Sequence, residues 1–352
     1  MLACKIYDIV GGMSMKKILS LLLVLMICFS TSACSIKFWV REKPQSQTES
    51  VNETQSTTAE ETTVAVQDNK KPSPLLYKVT DDKGNYIWLF GSIHVGKDEF
   101  YPLPDYVTKA FDNSDSLAVE FDIVAFEQDV SAQMQAITPF VYSDGTTIKD
   151  HISTDTYNKA VEILKENNSY SEMLDLYMPS MWSSSIDNFI YTKNGADTEK
   201  GIDLHFINEA YEQKKEVLSV ESAALQYSMM AGFSEELQEF MLEETVESYY
   251  DEDAKEEINE LMDVWLSGNE KEIVDMLNED ADYDDVKEKK LYEEYNNAVV
   301  VTRNLAMTDY AEDALTSGEK VFICVGTAHV VGDGGMADQL EERGYKVEVI
   351  KS

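Results

Sequence analysis

The chain has 352 residues and 43% hydrophobic content, enough to bury a core across one large domain or two. Lys and Arg number 29 against 66 Asp and Glu, giving a formal net charge of -37. A surface of that sign repels phosphate, which argues against nucleic acid as a partner and leaves cations as the better attracted ligand.

The first predicted element is a leader over 1–34. Met15 reads as the start, Lys16 and Lys17 as a positive flank, and Ile18 to Phe29 as an apolar run too short for an ordinary span. Small residues lead into Cys34, in the manner of a bacterial lipoprotein signal, so Cys34 is the expected lipidation site. The expected location is therefore the cell membrane, lipid-anchored and facing outward. Thr31 departs from the usual aliphatic at its position, and a plain secretory cleavage nearby is the alternative. Residues 35–74 follow as a tether, rich in Gln, Ser, Thr and Glu from residue 41 on. Such a composition cannot bury enough apolar surface to offset its ordering entropy. Cys4 and Cys28 fall in or before the leader and Cys324 in an apolar run, so no disulfide framework is expected.

From residue 75 to 352 the texture is that of one folded domain. "LLYKVTDDKGNYIWLFGS" predicts a hairpin around Asp-Asp-Lys-Gly, "LPDYVTKAFDNSD" a short helix, and "SLAVEFD" a strand. "DTYNKAVEILKENN" carries Tyr157, Ala160, Val161 and Leu164 at helical spacing. "GIDLHFINEAYEQKK" predicts a helix and "EVLSVES" a strand. Residues 234–296 are acidic and helical by pattern, with Leu237, Met241, Leu261, Trp265, Ile273 and Met276 facing inward. "AVVVTRNLAMTDYAEDALTSG" predicts a helix stopped by Gly318, and the chain ends strand–loop–helix–strand. The expected fold is α/β, with α+β as the alternative. It has a central mixed β-sheet flanked by helices, two pseudo-equivalent halves and a long helical middle.

Two motifs repeat. Gly91-Ser-Ile-His94-Val and Gly326-Thr-Ala-His329-Val each follow an apolar run, in a chain with 4 histidines. "LAVE" ends at Glu120 and "LSVE" at Glu221, each delivering a carboxylate at a strand end. Ligand sites in open α/β sheets gather at the carboxyl ends of strands. Two imidazoles with one or two carboxylates suit a divalent ion such as Mn²⁺, Co²⁺ or Zn²⁺, and a carboxylate not used as a ligand suits a general base. Taken singly, each of these residues reads better as a structural group; it is the set of four that points to a site. Asp203 and His205, together on one helix, are weaker candidates for supporting such a site, with His205 reading better as simply lining that helix face, and His151 is expected to be exposed. Arg303 stands among apolar residues and is a candidate for stabilising an oxyanion or holding a carboxylate, with an ordinary ion pair as the alternative. Asn304 carries a lesser version of the same argument. No Gly-x-Ser-x-Gly elbow occurs, which disfavours a serine nucleophile.

These segments, with "YPLPDYVTKAFDNSDSLAVEFD", "RNLAM" and "VFICVGTAHVVGDGGMADQLEERGYKVE", resemble the TraB/GumN family and its animal Tiki relatives. The resemblance implies a metal-dependent peptidase-like hydrolase acting on a peptide or protein substrate. It implies His94 and His329 as metal ligands, Glu120 and Glu221 as ligand or base, and Arg303 in support. Fold relatives that handle haem iron give the alternative: a lipoprotein that binds metal, haem or peptide without turnover.

Overall fold

Asp81 closes the first hairpin. Its carboxylate accepts from the backbone N–H of Lys83 (2.9 Å) and Asn85 (2.8 Å), and Gly84 takes the left-handed φ of +90° that such a turn needs. The hairpin joins β1 (Leu76–Thr80) to β2 (Tyr86–Ser92). The computed structural model describes residues 72–278 and 286–351. The leader and Cys34, with all but the last three residues of the tether, lie outside the described residues. No helix among the described residues is long and apolar enough to cross a membrane.

Four more strands complete the sheet: β3 (Ser116–Val119), β4 (Glu216–Ser219), β5 (Val321–Gly326) and β6 (Lys346–Ile350). The order is β4-β3-β5-β2-β1-β6. β4, β3, β5 and β2 run parallel, and β1 is antiparallel to both of its neighbours. The expected mixed sheet flanked by helices is therefore the fold the chain forms.

Successive side chains on the central strands enter different cores. Phe90, Phe322 and Cys324 pack into one, and Ile87, Leu89, Val321, Ile323 and Val325 into the other. Burial on both faces explains why these strands read as unbroken apolar runs rather than as alternating ones.

The helices are α1 (Asp105–Asp112), α2 (Ile123–Gln128), α3 (Val130–Ile137), α4 (Thr154–Glu166), α5 (Pro179–Lys193) and α6 (Ile202–Gln213). They continue with α7 (Ala223–Ala231), α8 (Glu235–Tyr250), α9 (Ala254–Ser267), α10 (Glu270–Asn278) and α11 (Val286–Asn296). A π-helical turn over Asn297–Val301 leads into α12 (Thr302–Ser317). The short α13 (Thr327–Val330) and α14 (Met336–Glu342) follow β5. Ser153, Ser222 and Ser234 cap α4, α7 and α8, each accepting a backbone N–H with its hydroxyl. Gly318 ends α12 in the left-handed conformation, as its position in the sequence predicts. In the helical middle Leu237, Met241, Leu261, Trp265 and Ile273 are buried, and Met276 is half-buried.

The two expected halves interleave. The histidine strands β2 and β5 are neighbours, and so are the glutamate strands β3 and β4.

Candidate functional site

Because β4, β3, β5 and β2 are parallel, their carboxyl ends share one edge of the sheet. Glu221, Glu120, His329 and His94 lie just past those ends, on strands adjacent in that order. The backbone N–H of Glu221 donates to the carbonyl of Glu120 (2.8 Å), extending the β3–β4 ladder past both strands. The two histidine segments differ locally. After β2 the chain continues without a helical turn through His94, whereas Thr327–Val330 forms a helical turn carrying His329.

Close backbone approach makes the geometry possible. A Cβ on Gly91 would lie 2.7 Å from Thr327 Oγ1, and the Thr327 hydroxyl donates to the carbonyl of Ser92 (2.9 Å). The Trp265 indole N–H donates to the carbonyl of Gly91 (2.9 Å). On the other side, a Cβ on Gly201 would lie 2.7 Å from the carbonyl oxygen of His94. That glycine lets the start of α6 reach the His94 segment, where Ile202 N–H donates to the carbonyl of Ile93 (2.9 Å).

Each histidine is held through Nδ1. His94 Nδ1 lies 2.8 Å from Asp203 Oδ2, and His329 Nδ1 lies 2.6 Å from Asn304 Oδ1. The Asn304 amide is oriented by its own Nδ2, which donates to the carbonyl of Gly334 (3.0 Å). Its oxygen therefore faces His329, and the proton on that ring sits at Nδ1. In both rings Nε2 is buried and has no hydrogen-bond partner. An unpaired buried ring nitrogen is costly unless something ligates it.

Beside them Arg303 binds both glutamates. Its Nη2 donates to Glu120 Oε2 (2.5 Å), its Nε to Glu221 Oε1 (2.9 Å) and Oε2 (3.0 Å), and its Nη1 to the carbonyl of Val299 (3.2 Å). Gln226 bridges the same pair, donating from Nε2 to Glu120 Oε2 (2.9 Å) and Glu221 Oε2 (3.1 Å). The Gly326 N–H donates to Glu120 Oε1 (2.9 Å), which lies 3.9 Å from His329 Nε2.

These contacts set the electrostatics. Burial pushes the Glu120 carboxyl up, but Arg303, His329, His94 and the Gly326 N–H together hold it down to about 2. Burial pushes His329 down to about 3, with Arg303 and His94 in the same direction and Glu120 opposing, so the ring is neutral. Burial also opposes charge on His94, yet the Asp203 carboxylate outweighs it and raises that pKa. His329 feels His94, and both rings feel Glu120 and Arg303, so these groups form one electrostatic cluster.

Two openings adjoin it. A small, mostly apolar cavity of about 50 Å³ lies against His94, between the ends of β2 and β5 and helices α9 and α10. A groove of about 550 Å³ runs along the π turn and α12 and reaches Asn304 and Ala328.

His94, His329, Glu120, Glu221, Arg303, Asp203 and Asn304, all singled out in the sequence, thus meet here. His205 does not join them: it packs between the Tyr101 and Phe206 rings, and burial lowers its pKa. His151, expected to be exposed, is half-buried instead. Its ring stacks on Tyr142 and bonds Thr146 and Glu235, partners its own polar segment does not reveal. Gln226 was missed. Its signal is its place one turn into a helix whose cap, Ser222, directly follows Glu221, which aims it back at the strand end. Among the described residues, no three His, Cys, Asp or Glu side chains stand close enough to hold a metal ion as they are.

A family model described as the TraB/PrgY/gumN family matches residues 75–349. The uncharacterised protein YbaP of Escherichia coli strain K12 is 24% identical over 263 residues, 74% of this chain and 90% of that protein. YbaP of Shigella flexneri is 24% identical over 253 residues, 72% of this chain and 86% of that protein. No solved structure matches.

Proposed function

The chain belongs to the TraB/PrgY/gumN family, and from that premise we propose that it is a metal-dependent hydrolase acting on peptides, held outside the membrane by a lipid on Cys34. One observation carries the reading: two imidazoles, His329 buried and His94 half-buried, each with Nδ1 held by a polar partner, both leave a buried Nε2 unpaired, and that of His329 lies 3.9 Å from Glu120 Oε1. That is the state a metal-binding histidine needs, with the other ring nitrogen orienting it.

His94 and His329 would hold the ion, with Glu120 as third ligand. A divalent ion there supplies Lewis-acid polarisation of a carbonyl. With a pKa near 2, Glu120 is ionised at neutral pH and a weak proton acceptor, which suits a ligand better than a base. Glu221 is then the carboxylate left to take a proton. Arg303 keeps the two carboxylates apart in role, and its charge stabilises negative charge developing next to them. The leader residues Lys16, Lys17 and Cys34 support the anchoring.

A second reading, a metal-, haem- or peptide-binding protein without turnover, is favoured by one feature. Both glutamates are occupied by Arg303 and Gln226, so neither is a free base in this arrangement.

The test is to strip the protein and reload it with Mn²⁺, Co²⁺ or Zn²⁺. Metal binding is measured by calorimetry and cleavage of a mixed peptide library by mass spectrometry, beside His94→Ala and His329→Ala. Metal-dependent cuts lost in both variants support the hydrolase. Binding without cuts moves the conclusion to the second reading, and no binding by folded protein removes the metal site altogether.

A further inference from the structure

Gln226 is 0% exposed, and the two hydrogens on its Nε2 go to different carboxylates: Glu120 Oε2 at 2.9 Å and Glu221 Oε2 at 3.1 Å. The amide has one tenable orientation, since reversing it would set its own oxygen against two carboxylate oxygens. In that orientation Oε1 is buried and has no hydrogen-bond partner. Leaving a buried acceptor unpaired is a standing cost, which an apolar side chain of similar length would avoid. A residue kept in spite of that cost is expected where function, and not packing, selects it.

The consequence falls first on Glu120. Each oxygen of an ionised carboxylate offers about two lone pairs. Oε2 receives two donors, Gln226 Nε2 (2.9 Å) and Arg303 Nη2 (2.5 Å), and is thereby filled. Oε1 receives the Gly326 N–H (2.9 Å) and lies 3.9 Å from His329 Nε2, so it is the oxygen that faces the imidazoles. Glu221 is held differently: Arg303 Nε reaches its Oε1 (2.9 Å) and Oε2 (3.0 Å), and Gln226 its Oε2, so both oxygens face donors. Charge gives a second reason for an amide at this position. Arg303 offsets one of the two glutamates, and a lysine or arginine at 226 would offset the other and remove the attraction for a cation. A neutral donor orients both carboxylates and leaves one negative charge in place.

We infer that Gln226 is a positioning residue that divides the labour of the two glutamates: it turns Glu120 Oε2 to Arg303 and Oε1 to His329, and ties Glu221 to the same nitrogen, so that one carboxylate meets the ion and the other is kept off it. The inference rests on the metal-site reading, and it does not require turnover.

The experiment uses the full chain in detergent, stripped of metal and then titrated with Co²⁺, whose visible spectrum reports the donors and geometry around the ion. Gln226→Met keeps length and burial without the two N–H groups. It is expected to bind Co²⁺ about 10–100-fold more weakly, the loss typical of an outer partner of a metal ligand, and to change the spectrum of the bound ion. Gln226→Asn withdraws the amide by one methylene and is expected to do the same, so the reading does not depend on the Met variant folding. A wild-type readout stands beside both: in isotope-labelled protein the Gln226 side-chain N–H signals are expected to exchange slowly and to move when Zn²⁺ binds. A folded Gln226→Met with wild-type Co²⁺ affinity and spectrum overturns the inference, even where its melting temperature falls. Gln226 signals that stay still on Zn²⁺ binding overturn it as well. Wild type that binds neither ion overturns the metal site and the inference with it. Wild type that binds, with the Gln226 response but no cut peptide, supports the inference and counts against turnover alone.

Discussion

Asn304 Oδ1 lies 2.6 Å from His329 Nδ1, and that contact decides which nitrogen of the ring is free to bind anything. Asn304 is buried and its other amide end is held by the Gly334 carbonyl, so it has little freedom to turn. Removing such an outer partner of a metal-binding histidine costs about 10–100-fold in metal affinity. Asn304→Ala should therefore weaken Mn²⁺, Co²⁺ or Zn²⁺ binding by that factor in calorimetry. Unchanged affinity in a folded variant would show that His329 Nε2 is not a donor.

Arg303 is 3% exposed and is the cation between two buried carboxylates. Breaking a buried ion pair by removing one partner leaves uncompensated charge, at a cost of about 3–5 kcal/mol. Arg303→Met, which keeps length without charge, should lose stability in that range by urea unfolding. Adding Glu120→Gln and Glu221→Gln to it should restore part of the loss. A single-variant loss below about 1 kcal/mol would mean that water reaches the cluster and screens it.

The pH dependence of the metal-free protein has a direction that can be worked out group by group. Glu120 has its folded pKa lowered from 4.5 to about 2, so its contribution is present above pH 4.5 and disappears as pH falls toward 2. His329 is lowered from 6.5 to about 3; the unfolded chain takes up a proton that the folded one refuses, so stability falls as pH drops from 6.5 toward 3. His94, raised by Asp203, acts in the opposite sense: its contribution is full below 6.5 and is lost as pH rises through the folded value. In urea unfolding, His329→Gln should flatten the decline between pH 6 and pH 3 relative to wild type. A parallel curve for the variant would show that His329 titrates normally.

The Cys34 reading is tested in the cell. Cys34→Ser should move the protein from the membrane fraction to the soluble extracytoplasmic one, and mass spectrometry of the wild-type N-terminus should find a diacylglyceryl group on Cys34. An unmodified N-terminus at another residue would assign a plain secretory cleavage instead.

Much of the site was legible because it sits where strands end. Apolar runs ending at Glu120 and Glu221, or three residues before His94 and His329, announce residues delivered to a sheet edge, and the parallel strands bring all four to the same one. Strand order was not legible. Local sequence says nothing of whether β3 pairs with β2 or with β5; in the fold it pairs with β5. The partners of His151 were hidden for a related reason, since Glu235 is 84 residues away. Gln226 escaped because an amide inside a helix carries no pattern of its own. Its role comes from the two carboxylates it meets, one of them 106 residues earlier in the chain.

Gly201 gives a last, purely steric prediction. It stands at the start of α6, two residues before Asp203, with φ of -58°, a conformation open to any residue, so backbone preference does not explain the glycine. Space does: a Cβ would lie 2.7 Å from the His94 carbonyl oxygen and 2.9 Å from its carbonyl carbon. Both are backbone atoms that cannot swing aside as a flexible side chain can. Gly201→Ala must therefore push α6 away from the His94 segment, and overpacking of this kind costs about 1–3 kcal/mol. The same displacement carries Asp203 away from His94 Nδ1, so His94 should lose its raised pKa together with the loss of stability, read as a downward shift of its NMR titration midpoint. A stable variant with an unshifted His94 titration would mean that the contact between α6 and the end of β2 is looser than the structure places it.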